Sequence, residues 1–368
     1  MREIVLVLVL FLLPATAWSD NSDIAAFNKA WQEYVAAEQS GDAGLRVETA
    51  ARAAEAGKRI FTTSDEQLAL VVQNYGVALS DSGDRENAVP VLEEALELGQ
   101  AYYGVDGAGL IPILADLADA KARNFSPGPQ FRLYKRALKI AEQSFGPNSV
   151  EFADLAFRAS RNVYSMSLSD TAQKYMSDAR DIYLSLPEPK TQNAALADYY
   201  LGKMEFSDQK YKKSSEYLER ALTGLEEPGE ANQALRLLTR GLLVQVYERR
   251  GLRDKATPHC IAIGRESQLA PDQELAPIVR VAPRYPSSML RSGNQGAVDI
   301  EFTVDESGFV KDPVVLGRTV NGREKKGRSD FDEAALDAVK EFRYAPKFVD
   351  GEPVASTGMK TRITFKLE

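Results

Sequence analysis

Cysteine and histidine are almost absent from this chain of 368 residues: Cys260 and His259 occur once each, side by side. A single thiol excludes an internal disulfide in any redox compartment, so packing alone must hold the fold. One His and one Cys cannot make a tetrahedral metal site, and a Ser-His-Asp or Cys-His catalyst would have to use His259, in a helical segment just after Pro258. No G-x-x-x-x-G-K-[ST] phosphate loop is present, and Gly57-Lys58 lies inside a helical pattern. The carboxylate pairs Glu93-Glu94 and Glu226-Glu227 are neighbours pointing in different directions along a helix or its end, which reads as solvated surface. No catalytic residue, metal ligand, cofactor or small-molecule substrate is expected.

A long apolar run is missing too. Ile4 to Leu13 gives ten residues before Pro14, whereas a membrane-crossing helix needs about 20. With Arg2 before it and Ala15-Thr16-Ala17 after it, the run has the n-region, h-region and A-x-A site of a secretory signal peptide. Residues 1–18 are set apart as that signal, with cleavage after Ala17 and the periplasm as destination. The alternative is an uncleaved inner-membrane anchor, favoured by Trp18 at a membrane interface and by Glu3, which offsets Arg2. No cysteine stands near the cleavage site to carry a lipid.

What is present is ample apolar material, 44% of the chain, enough for two or three domains. Charge is unevenly spread: from Ala276 onward there are 15 Lys and Arg against 14 Asp and Glu, so the preceding 275 residues hold 30 against 39. An acidic N-terminal portion argues against nucleic acid, which demands a basic face.

That portion repeats. Ala53, Ala95, Ala137, Ala179 and Ala221 are each 42 residues apart, and Val91, Leu133, Tyr175 and Tyr217 keep the same register one turn upstream. Gly104 and Gly146, also 42 apart, read as helix C-caps. Apolar spacings of three and four make two amphipathic helices per unit, as in Leu68, Val71, Val72, Tyr75, Leu79 and then Ala88, Val91, Leu92, Ala95. The alanines, with Gly76, Ala118, Ser160 and Gly202 on the first helices, mark where two backbones approach closely. Helix pairs are placed at 24–62, 66–102, 106–145, 149–185, 191–225 and 231–265. The tyrosines Tyr75, Tyr134, Tyr164, Tyr175, Tyr199, Tyr200 and Tyr217 are read mainly as packing between helices. The strings LYKRALKIAEQSFGPNS and NYGVALSDSGDRENAVPVLEEAL resemble tetratricopeptide repeats of the 42-residue kinesin-light-chain type, longer than the usual period of about 34. The resemblance implies an all-α solenoid over 19–268 whose groove holds a protein or peptide.

Composition changes after Gln268, where Pro271, Pro277, Pro283 and Pro286 mark an extended linker over 269–292. From Gly296 the pattern alternates, Val298, Ile300, Phe302 and Val304 on one face and Asp299, Glu301 and Thr303 on the other: a half-buried strand. A second strand runs from Phe309 to Leu316, followed by a basic insertion, Gly317 to Arg328, read as a solvated loop. Ser329 or Asp330 caps a helix whose inward positions are Phe331, Ala334, Ala335, Ala338, Val339 and Phe342. A last strand alternates Met359, Thr361, Ile363, Phe365 and Leu367 with Lys360, Arg362, Thr364 and Lys366. The expectation over 293–368 is therefore a small α+β domain of order ββαβ.

Six motifs in order, Arg284-Tyr285-Pro286, Gly293-x-x-Gly296-x-Val298, Val304-Asp305-x-x-Gly308-x-Val310, Phe331-Asp332-x-Ala334-Ala335, Phe342-Arg343-Tyr344-x-Pro346 and Gly351-x-Pro353-Val354, make these residues similar to the C-terminal domain of TonB-family proteins. That resemblance implies binding of an outer-membrane or periplasmic protein, an extended segment of it pairing with the domain's edge strand. The implied site is Tyr285 and Pro286 with Lys360, Thr361, Arg362, Ile363, Thr364 and Phe365, and a dimer through this domain is left open. Energy-transducing members carry an uncleaved anchor and a proline-rich spacer across the periplasm. Here helical repeats fill that space, so the expectation is a non-enzymatic adaptor, with an anchored transducer of outer-membrane transport as the alternative.

Overall fold

The computed structural model describes residues 21–122, 128–164, 168–225, 230–267 and 275–367. The signal segment, Glu226-Glu227 and the start of the linker with Pro271 lie outside them. Among the described residues twelve helices precede the first strand: α1 (Asn21–Ser40), α2 (Ala43–Ile60), α3 (Glu66–Asp81), α4 (Arg85–Tyr103), α5 (Leu110–Ala120), α6 (Gly128–Phe145), α7 (Val150–Val163), α8 (Ser169–Ser185), α9 (Thr191–Ser207), α10 (Tyr211–Thr223), α11 (Glu230–Arg249) and α12 (Arg253–Ser267). They form the six expected pairs, with ends shifted by a few residues. Side-chain caps explain several starts: Asp42 accepts from Leu45 N at 3.0 Å and Ser149 from Phe152 N at 3.2 Å. Gly104 and Gly146 stop α4 and α6 at φ of 76° and 93°, which glycine adopts without a Cβ clash.

The five alanines of the 42-residue register are at most 2% exposed. Their purpose is visible beside them. A Cβ built on Gly76 would lie 2.5 Å from Leu92, and one on Gly202 would lie 2.6 Å from Leu218, the same contact three repeats later. Ser160, at the same position, turns its hydroxyl onto Ala172 O at 2.6 Å. Small residues on the first helix thus let the second helix press its leucine against backbone.

The chain divides within α8 into two compact units, Met1–Tyr175 and Met176–Glu368. In the first, a polar ladder crosses consecutive first helices: Gln73 donates to Asp116 at 2.7 Å, and Arg158 binds Asp116 and Asp119 at 2.6 Å each. Asn162 completes it, donating to Asp119 and to the Tyr134 hydroxyl at 2.7 and 2.9 Å. The flanking carboxylates raise the guanidinium pKa of Arg158 despite its burial, and burial first, then Asp119, raises that of Tyr134.

The second unit ends in the α+β domain. Its strands are β1 (Pro277–Val279), β2 (Gly296–Val304), β3 (Val310–Val320), β4 (Arg323–Glu324), β5 (Arg343–Tyr344), β6 (Lys347–Val349), β7 (Glu352–Val354) and β8 (Ser356–Phe365), with helices α13 (Ser287–Arg291) and α14 (Asp330–Lys340). The ββαβ order holds in β2, β3, α14 and β8, and the main sheet runs β4-β3-β2-β8, antiparallel throughout. Ser329 caps α14 in a capping box with Asp332. Phe331, Ala335 and Val339 of α14 close the core over Val298, Ile300, Phe302, Ile363 and Phe365. Leu275, Tyr285 and Met289, all before Gly293, pack on that core, and β1 pairs with β5, so residues 275–292 are built into the domain.

Arg343 joins the domain to the helices before it. Its guanidinium is 2% exposed, pairs with Glu248 of α11, donates to Thr257 Oγ1 at 3.2 Å and to Ser307 O at 3.1 Å, and lies 3.7 Å over the Phe309 ring. Glycines allow this proximity: a Cβ on Gly264 of α12 would lie 2.2 Å from Pro346 O, and one on Gly308 would lie 2.1 Å from Tyr344 O. The domain is therefore packed directly on the last helical hairpin.

Two stability measurements follow. Arg343→Ala, which strips the main partner from buried Glu248, lowers unfolding free energy in urea by about 3–5 kcal/mol, whereas Arg343→Met with Glu248→Leu recovers most of that loss. Gly202→Leu forces Leu218 aside and costs about 1–3 kcal/mol, while the same change at half-buried Gly128, where a Cβ would meet only Arg132 Nη1 at 3.8 Å, costs less than about 1 kcal/mol.

Candidate functional site

β8 is an edge of the main sheet. Gly296 to Phe302 of β2 pair with Met359 to Phe365 without interruption, and the other side of β8 has no strand among the described residues. Alternation decides what each side chain does. Ile363 and Phe365 are buried in the core, whereas Lys360, Arg362 and Thr364 face outward. Lys360 lies 3.6 Å from Glu301 and Arg362 3.5 Å from Asp299, exposed cross-strand pairs that fix register more than they stabilise.

The free edge is identified by one contact: Arg280 Nη2 reaches the Arg362 carbonyl at 3.4 Å. In an antiparallel strand the N–H and C=O of a residue point to the same side, so residues 360, 362 and 364 offer their backbone groups away from β2. What this edge exposes is therefore backbone, and the side chains of Ile363 and Phe365 anchor it to the core. The opposite long strand is blunted instead. β3 carries Pro313, Asp312 at φ 50° and two register shifts against β2, devices that discourage pairing. β8 has no proline.

Tyr285 and Pro286 sit at the far end of the same domain surface. The Tyr285 hydroxyl donates to Asn294 O at 2.5 Å, and its ring stands edge-on to Phe331 and Phe365 at 5.7 and 5.6 Å. Tyr285 thus packs against the residue that ends β8. A groove of about 560 Å³ runs beside it, between Arg284-Tyr285-Pro286 and the Asp330, Glu333, Asp337 and Glu341 face of α14.

A second candidate lies in the repeats. On α6, Arg132, Lys135, Arg136 and Lys139 share one helix face and border a groove of about 730 Å³, with Leu138, Phe152 and Tyr175 as its apolar part and Asp106 and Glu142 at its rim. The repeat supplies its own control. Forty-two residues upstream, the positions of Lys135, Arg136 and Lys139 are Glu93, Glu94 and Glu97. Downstream they are Ser177, Asp178 and Asp181. Two of the α4 glutamates are neutralised, Glu94 by Lys58 at 2.6 Å and Glu93 by Lys121 at 2.5 Å. On α6 only Arg136 is tied down, donating to Val105 O at 2.7 Å, and Arg132, Lys135 and Lys139 make no ion pair among the described residues. This inversion was in the sequence, legible once the 42-residue register was laid over the charges.

His259 and Cys260 are both buried. His259 stacks on Tyr247 at 5.9 Å and faces Glu219, whose carboxyl it holds below the usual range by hydrogen bonding. Burial pushes the Cys260 thiol up to about 11, which keeps it protonated at neutral pH. Among the described residues no group of three or more His, Cys, Asp or Glu could hold a metal, and no helix is long and apolar enough to cross a membrane.

The comparisons agree with this division. Residues 281–367 match the Gram-negative bacterial TonB protein C-terminal family. Protein TonB of Vibrio cholerae serotype O1 is 33% identical over 89 residues, which are 24% of this chain and 33% of that protein, so the chain spans about a third of the curated relative it matches. Among solved structures, BtubC (BKLC) from P. vanneervenii is similar with a TM-score of 0.50 at 19% identity, covering 70% of this chain and 97% of that one. A Podosopora anserina chain of nearly identical TPR-like repeats, described as a kinesin light chain, gives 0.48 at 13% identity over 56% of this chain and 99% of its own. The chain is a tetratricopeptide-like repeat array followed by a domain similar to the TonB C-terminal domain.

The α6 face has a clean test. Because its cations are exposed and unpaired, Arg132→Glu/Lys135→Glu/Lys139→Glu changes unfolding free energy by less than about 1 kcal/mol, while a protein partner cross-linked at this groove in the unaltered chain is retained at least about tenfold less.

Proposed function

We propose that this protein is a non-enzymatic adaptor of the periplasm, exported by a cleaved signal peptide, in which the repeats hold one protein and the C-terminal domain engages a second, in or near the outer membrane, by strand addition. The observation that carries the reading is the open edge of β8, whose outward backbone groups at Lys360, Arg362 and Thr364 meet, among the described residues, the Arg280 side chain alone. An incoming extended segment would displace that one long hydrogen bond and gain a ladder of backbone bonds, each worth about 0.5–1.5 kcal/mol net. The likeness of residues 281–367 to the TonB C-terminal family supports the outer-membrane side of the reading.

The repeats' partner is acidic with an apolar residue, matched by the α6 cations and by the Phe152 and Tyr175 rings.

Two measurements test this. N-terminal sequencing of the exported protein should start at Trp18, and an intact Met1 in the membrane fraction overturns export by cleavage. A photo-cross-linker at Thr364 should capture an envelope protein in cells. Arg362→Pro, which removes an outward N–H while leaving the β2 ladder intact, should abolish that product, and Arg362→Ala should preserve it. Equal capture by both variants overturns strand addition.

A further inference from the structure

The basic insertion after β3 is not a loose loop. Asn321 and Gly322 both have positive φ, 50° and 74°, the two-residue turn that fits the twist of a hairpin. It folds Arg323 and Glu324 back on Val320 and Thr319 as β4. Asn321 is held on both sides, its N–H on Gln295 O at 2.8 Å and its Nδ2 on Asn294 Oδ1 at 2.8 Å.

Beneath the loop lies Arg318, whose Nε donates to buried Asp332 at 2.7 Å. Its Nη1 donates to the carbonyls of Lys325, at 3.5 Å, and Gly327. These two carbonyls, which would repel an anion, are thereby turned inward and occupied. What faces out is Arg323, Lys325, Lys326 and Arg328, four cations in six residues, all exposed. They border a groove of about 650 Å³ whose other lining includes Asn294, Asn321 and Ser329. Arg323, Lys325 and Lys326 make no ion pair among the described residues, and Arg328 makes only a 3.9 Å contact with Glu333. The one acid on the groove, Asp330, accepts from Ser288 Oγ.

We propose that this groove is a binding site for a phosphate-bearing anion, with Arg323 and Arg328 forking onto its oxygens and Lys325 and Lys326 supplying point charge. Chemistry selects the class. Met289 and Val320 are the groove's apolar lining residues, and no aromatic ring is present, so there is no pocket for a peptide side chain of the kind α6 offers. Dense positive charge with neutral amide and hydroxyl donors suits a compact oxyanion. The site sits at the β4 edge of the sheet, opposite β8, and is independent of strand addition.

The experiment uses the full exported chain with three probes: inorganic pyrophosphate, vesicles of phosphatidylglycerol in phosphatidylcholine, and a hexaglutamate peptide. Binding is followed by calorimetry and vesicle sedimentation at low salt. Pyrophosphate or the anionic vesicles should bind at least about tenfold more tightly than hexaglutamate. Vesicle binding alone assigns the phosphate to a lipid headgroup, and pyrophosphate binding assigns it to a free anion. Lys325→Glu/Lys326→Glu should weaken binding at least about tenfold with unchanged melting, and Lys325→Arg/Lys326→Arg should keep it within about threefold. Hexaglutamate binding as tightly as the phosphates, no binding by any probe, or binding indifferent to the charge reversal each overturns the site.

Discussion

The Arg343–Glu248 ion pair fixes the second unit of this molecule. A guanidinium taken out of water costs several kcal/mol unless its donors are met, and here Glu248, Thr257 and Ser307 meet those of Nη1 and Nη2 while Nε is left unpaired and Phe309 covers the plane. Those partners come from α11, from α12 and from the turn after β2, so the pair is satisfied in one arrangement only. Cys260 is consistent with this, lying 3.4 Å from Arg343 with its thiol kept neutral by the same burial that makes the pair specific. The β1–β5 ladder then adds backbone bonds along the same seam. A contact that would be poor evidence for stability is good evidence for register.

The consequence for function is a matter of which edges remain. Docking on the last hairpin uses β5, β6 and the turn before β3, and it leaves the main sheet's two outer strands, β4 and β8, unclaimed. The sheet treats them differently. β4 is two residues long, ends in a basic hairpin and offers little to pair with. β8 offers a regular ladder from Met359 to Phe365. Exposed edges invite aggregation, and the partial guards on β8 are charged outward side chains and the Arg280 hydrogen bond to Arg362 O, which can yield.

Much of this was legible in the sequence because it rests on short-range periodicity. The 42-residue register found the six helix pairs, and the small residues at Gly76 and Gly202 found the contacts with Leu92 and Leu218 that require them. Period-two alternation likewise found β2 and β8, with Ile363 and Phe365 inside and Arg362 outside. The Arg343 contact was not legible, since it joins residues 95 apart and the motif that holds Arg343 says nothing of its partner. Residues 275–292 looked like a linker because prolines interrupt helices, yet proline is tolerated at the first position of an edge strand, where Pro277 stands. The Asn321-Gly322 turn was a missed signal: the dipeptide marks a two-residue hairpin, and the surrounding lysines and arginines drew the reading toward a solvated loop.

Charge placement shows how the outward surface of the repeats and of the domain can change without a change of fold. A repeat needs its alanines, its leucines and its caps, and these are the positions that recur. Its outward positions are free, so Glu93, Glu94 and Glu97 on α4 give way to Lys135, Arg136 and Lys139 on α6 at no cost to packing. Against a net charge of −8, such a local inversion stands out in the field that an approaching partner meets before any contact forms. The insertion after β3 obeys the same logic with a different scaffold: Arg318 and Asp332 absorb the structural demand, and the four exposed cations are left to chemistry. In both places a buried framework is satisfied first, and the charges beyond it are unspent because the fold does not need them.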